Sequence, residues 1–176
     1  LAFVTGAGGP SIAALAGASL YCPGASMTLH QPLQPLAADG GALARILQAA
    51  DVDKTNLIRV VGPLAPIAML WLSQHGYDRA VFAPNGGANG TPADALLIAH
   101  PCSAEELGSL VGDTDGVRED GTIIVQTRPG RQGGEPEAVA AWLRRSGFAS
   151  QRRFNDKGRP ICIARRIGFP IVSKAA

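Results

Sequence analysis

His100-Pro101-Cys102-Ser103 is the stretch whose side chains could do chemistry. An imidazole titrates near neutral pH and can accept a proton as a general base. A thiol becomes nucleophilic where a helix amino terminus lowers its pKa, and Ser103 with Glu105 and Glu106 reads as such a helix start. The apolar run Asp94–Ala99 reads as a buried strand ending at His100-Pro101. His100 and Cys102 would then stand at the carboxyl end of a strand, where open α/β sheets bind ligands. These two are the expected catalytic residues. No clear Asp or Glu presents itself to orient His100. No G-x-S-x-G elbow occurs, which argues against a hydrolase.

Metal chemistry is not expected. Cys22, Cys102 and Cys162 are far apart, no C-x2-C spacing occurs, and His30, His75 and His100 do not pair with them. Reduced thiols of this kind suit a cytoplasmic protein. The net charge of +2 hides an asymmetry: from Arg118 onward there are 12 Lys/Arg against 5 Asp/Glu, and before it 4 against 9. The basic C-terminal third is therefore a candidate surface for an anionic ligand or nucleic acid, although no nucleic-acid recognition motif occurs. Residues 1–38 carry no Lys, Arg, Asp or Glu. Gly8, Gly9 and Pro10 interrupt that stretch and no basic n-region precedes it, so no membrane role is expected. It is read as a segment for packing or a homo-oligomer contact.

The elements that must position His100 begin with Asn56–Tyr77. Leu57–Val61 is short and β-branched, as a central strand should be. Gly62 to Pro66 breaks it, and Ile67–His75 runs as an apolar helix closed by Gly76. Before it, Asp39 is placed to cap a helix through Ala50. After it, Asp78–Ala83 reads as a second strand and Pro84–Pro92 as a loop. A helix from Ser103 to about Val111 follows, then a polar turn from Gly112 to Asp120. Gly121–Thr127 is a strand, Glu135–Ser146 a helix, and Ser150–Ile167 an antiparallel hairpin with its turn at Asn155–Arg159. The expected fold class is α/β, a three-layer Rossmann-like arrangement with a mostly parallel sheet and a C-terminal antiparallel hairpin. Residues 1–38 form the apolar segment and 39–176 the α/β domain.

From Gly41 to about Arg166 the chain resembles the class I S-adenosylmethionine-dependent methyltransferases. ALARILQAADVDKTNLIRVVG is similar to the helix and first strand of that family. ADALLIAHP, DGTIIVQTRPG, WLRRSGF and RPICIARR resemble its fourth strand, fifth strand, last helix and seventh strand. The resemblance implies a cofactor turn at Gly62, Pro63 and Leu64 and a ribose contact at Ala83. The family's pattern departs there. Val60 stands where the first strand ends in an acid, Leu64 and Pro66 replace two glycines, and Ala83 replaces the ribose-binding acid. The family's helix and strand between its second and fourth strands are replaced by Pro84–Ala93, ten residues that span about 33 Å when extended. Thr5-Gly6-Ala7-Gly8-Gly9 resembles the opening of short-chain dehydrogenases, but Pro10 and Ile12 stand where that family's later glycines belong. The expectation is a methyltransferase-fold protein that has lost S-adenosylmethionine binding, has no cofactor, and acts as a binding or assembly module. The alternative is an active S-adenosylmethionine-dependent methyltransferase with an atypical cofactor site.

Overall fold

The computed structural model describes residues 35–84, 91–111, 116–128 and 134–167. Residues 1–34, most of the apolar segment 1–38 and with it the Thr5–Gly9 stretch, lie outside the described residues, as does most of the Pro84–Pro92 loop.

Asp39 does cap a helix. Its carboxylate accepts a hydrogen bond from the Ala42 N–H at 3.0 Å and opens α1, Gly40–Ala49. A single 3-10 turn, Leu36–Ala38, precedes it. The sequence places these residues at the end of the apolar segment 1–38, with no secondary structure assigned to them. Leu36 is fully buried, and its N–H donates to the buried Gln126 Oε1 at 2.6 Å, 90 residues away. Strand β1, Ile58–Val61, is buried at every position. Gly62–Leu64 then turns the chain into α2, Ala65–Gln74, with Pro66 in the first turn, where a missing N–H costs nothing. The elements that follow are β2 (Ala80–Phe82), β3 (Ala93–Cys102), α3 (Ala104–Val111), β4 (Val117–Thr127), α4 (Gly134–Arg145), β5 (Phe148–Asp156) and β6 (Arg159–Arg166).

The six strands form one sheet in the order β2-β1-β3-β4-β6-β5. The first four are parallel; β6 runs antiparallel to both β4 and β5. Strand β1 is thus flanked by β2 and β3, and the hairpin lies beyond β4, as the pattern of elements predicts. Period-two alternation divides the sheet's side chains between two cores. Ile58, Val60, Ala95, Leu97 and Ile124 pack under α1 and α2. Val61, Leu96, Ile98, Ile123 and Val125 pack under α3 and α4. These are the three expected layers.

Several boundaries differ from expectation; β5, for one, opens at Phe148 rather than Ser150. β3 continues through His100 and Pro101 to Cys102, which still pairs with Thr127 after a register shift. β4 begins at Val117, inside the stretch read as a polar turn, because Val117 pairs with Ala93 before the ladder resumes at Thr122. The hairpin turns on only Lys157 and Gly158, both at positive φ (52° and 83°), the geometry whose twist suits a two-residue connection.

Candidate functional site

β1 connects through α2 to β2 on one side of the sheet, whereas β3 lies on the other side of β1. The crevice at the carboxyl ends of β1 and β3 is therefore the topological switch point, the usual ligand position in such sheets. The last paired residues there are Val61 and Ile98. Just beyond them, Gly62 and His100 meet. Gly62 has φ +103°, a conformation that L side chains rarely adopt. A Cβ on Gly62 would overlap His100 Nδ1 and lie 2.8 Å from Cε1. The imidazole thus fills the space that the glycine leaves open.

His100 Nδ1 is buried and has no hydrogen-bond partner among the described residues. Burial holds the imidazole below its ordinary pKa; Arg128 acts in the same direction and Glu106 opposes it. The ring is therefore neutral at pH 7. Glu106 belongs to a reciprocal cap. The Ser103 N–H donates to Glu106 Oε2 at 3.0 Å, and the Glu106 N–H donates to Ser103 Oγ at 3.2 Å. Arg128 Nη2 donates to the other Glu106 oxygen at 2.7 Å. These contacts, the Ser103 N–H first, lower the Glu106 pKa. A carboxylate and a guanidinium thus lie near His100. The S-x-x-E spacing signals the cap, but it does not signal that Arg128, 22 residues on, closes over it.

Cys102 reverses the expectation of a lowered thiol pKa. It is fully buried, and burial, reinforced by Glu106 and Glu135, pushes the thiol up to about 12. Desolvation outweighs the amino terminus of α3, so no thiolate forms at neutral pH. Glu135 Oε2 is, like His100 Nδ1, a buried polar atom without a hydrogen-bond partner among the described residues.

The positions that the resemblance assigned to a cofactor surround the same crevice. Val60 is fully buried in β1, and Ala83 is buried with its N–H donating to the Val60 carbonyl at 3.0 Å. Pro63 is exposed, and Leu64 is half-buried at the cap of α2 without a side-chain cap bond. The first turn of α2 holds no acid.

The basic third is partly absorbed by the chain itself. Arg159, buried, bonds Asp39 and Asp156 at 2.6 and 2.7 Å. Arg153 pairs with Glu137 at 3.0 Å, and Arg166 donates to the Val117 carbonyl. Arg144 and Arg145 are exposed in the last turn of α4. Among the described residues, no group of three His, Cys, Asp or Glu is placed to hold a metal ion, and no helix is long and apolar enough to cross a membrane.

No protein-family model and no curated protein matches this sequence. Solved structures do. The chain is similar to phosphoethanolamine N-methyltransferase 2 of Haemonchus contortus at 16% identity and a TM-score of 0.50, over 76% of this chain and 39% of that one. It is also similar to an O-methyltransferase family protein from Burkholderia thailandensis, at 13% identity and a TM-score of 0.48, over 73% of this chain and 58% of that one. The matched region therefore spans about two fifths to three fifths of those two structures' length. At such identities the likeness is one of fold. The described residues carry the Rossmann-like fold of the class I S-adenosylmethionine-dependent methyltransferases, with β6 inserted antiparallel between β4 and β5.

Proposed function

We propose that this chain is a methyltransferase-fold protein that does not bind S-adenosylmethionine and serves as a binding or assembly module. The contact of His100 with Gly62 carries the reading. In the family that the chain resembles, the glycine turn after the first strand lets the cofactor lie against backbone. Here an imidazole lies against that glycine, and Leu64 and Pro66 stand at the other two glycine positions. Val60 and Ala83 supply no carboxylate for the amino-acid and ribose ends. Hydrogen bonds to charged groups are worth about 1.5–3 kcal/mol each. Two missing bonds remove about 3–6 kcal/mol, a hundredfold or more in affinity. Isothermal titration with S-adenosylmethionine and S-adenosylhomocysteine is expected to show no binding up to millimolar concentration. Micromolar binding would overturn the reading.

An active enzyme with an atypical cofactor site is the second reading. The neutral, unpartnered His100 Nδ1 favours it, because such a nitrogen can accept a proton.

The assembly role draws on the β2 edge. Val81 and Phe82 are 41% and 52% exposed, and Ile67 and Leu70 of the neighbouring α2 are 47% and 61% exposed. An edge strand is self-complementary about a two-fold axis, so a second copy is the occupant that this edge suits. Sedimentation is expected to show self-association that Phe82→Lys abolishes. A wild-type chain that stays monomeric at 100 μM or so would count against it.

A further inference from the structure

A polar cavity lies at the opposite end of the strands from His100. Thr122 pairs with Ala95, and Ala95 pairs with Ile58 at the start of β1, so this end carries the amino termini of the parallel strands. A cavity of about 80 Å³ opens there, lined by Ala49, Ala50, Asp51, Thr122, Arg152, Ile163 and Arg165. Arg152, Ile163, Arg165 and Thr122 share one face of the sheet, because Arg152 lies opposite Ile163 and Thr122 opposite Arg165.

Three side chains there have capacity to spare. Arg152 Nη1 donates to the Ala49 carbonyl at 3.1 Å, and Arg165 Nε donates to the Asp120 carbonyl at 3.1 Å. Each guanidinium is thereby held in place by one bond, and neither has a carboxylate partner among the described residues. Thr122 is only 6% exposed, yet its hydroxyl has no hydrogen-bond partner among the described residues. The hydroxyl oxygen itself is open to the cavity rather than enclosed, so a ligand can reach it.

We propose that this cavity binds the carboxylate of a short aliphatic acid, held by Arg152 and Arg165 with the Thr122 hydroxyl as a third donor. Guanidinium forks match carboxylate oxygens in geometry as well as charge. The other walls choose among anions. Asp51 and the carbonyl end of α1 put negative potential on one side, which disfavours a phosphate dianion. Ala49, Ala50 and Ile163 offer apolar contact to a methyl or methylene group, which phosphate lacks. The site is separate from the switch point and stands whether or not the reading of His100 does.

The test titrates acetate, propionate and phosphate against chloride at constant ionic strength, following the melting temperature by circular dichroism. Acetate and propionate are expected to raise it at millimolar concentration, propionate more, with phosphate no better than chloride. Arg165→Gln and Arg152→Gln should each weaken the carboxylate effect at least tenfold. Thr122→Val keeps the shape and removes the hydroxyl. It should leave the ligand-free melting temperature unchanged or higher while weakening the carboxylate several-fold, which a structural hydroxyl would not do. A tripeptide compared with its carboxyl-terminal amide distinguishes the source. Binding of the free peptide alongside propionate extends the site to peptide ends, and propionate alone restricts it to small acids. Carboxylates indistinguishable from chloride, phosphate exceeding both, or full binding by Thr122→Val and Arg165→Gln would overturn the proposal.

Discussion

Gly62→Ala is expected to destabilise the fold by about 2–5 kcal/mol, and His100→Ala is expected to restore part of that loss. Two separate costs meet at this residue. A side chain at φ +103° costs about 1–2 kcal/mol in backbone sterics alone. The new Cβ would also overlap the His100 ring, and forcing such a contact costs about 1–3 kcal/mol. Removing the imidazole relieves the second cost and leaves the first. A double-mutant cycle by urea denaturation should therefore give a coupling of about 1 kcal/mol or more between the two positions. A coupling near zero would mean that the ring does not occupy the glycine's space, and the proposed loss of cofactor binding would lose its main support.

The second large effect is expected at Arg159. Its guanidinium is 4% exposed and bonds Asp39 and Asp156, whose side chains are 23% and 13% exposed. Arg45 reaches the same Asp156 at 2.7 Å. The cluster ties the cap of α1 to the hairpin turn. Removing one partner of a buried ion pair costs about 3–5 kcal/mol. The two carboxylates regain some water here, so Arg159→Met should cost about 2–3 kcal/mol, or roughly 5–10 °C in melting temperature.

The same cluster sets a pH dependence. The Arg159 hydrogen bond, with that from the Ala42 N–H, holds the Asp39 carboxyl at about 2, against 3.8 for an ordinary Asp. The folded value is the lower one. The stabilisation is therefore present above about pH 4 and lost as the pH falls toward 2. Solvent at this partly exposed carboxylate limits its share to about 1 kcal/mol. The stability difference between wild type and Arg159→Met, measured in urea, should be about 1 kcal/mol smaller at pH 2 than at pH 7. A difference that stays constant with pH would assign the loss to packing of the arginine stem.

Local chemistry accounts for what was legible in the sequence. The run Leu57–Val61 followed by a Gly/Pro break dictates a buried strand and a helix start, and both occur. Asp39 is a cap because a short carboxylate before a helix meets its free N–H groups, as it does at Ala42. Alternating strands and helices ending in a strand pair without a helix specify a mostly parallel sheet with an antiparallel end. His100 and Cys102 fall at the carboxyl end of β3 for the same reason.

Tertiary contact decided the rest. Leu36 closes an apolar segment whose packing partner the sequence does not name, and Gln126, 90 residues on, accepts its N–H in the core. A polar stretch becomes the start of β4 because Ala93 offers Val117 a strand partner. The Cys102 thiol could be lowered by a helix end or raised by burial, and only its packing selects burial. Most of all, the meeting of Gly62 and His100, 38 residues apart, is visible in no local pattern. Periodicity records which face of an element is buried. It does not record which side chain from another strand comes to rest against it, and that contact decides what the switch point can hold.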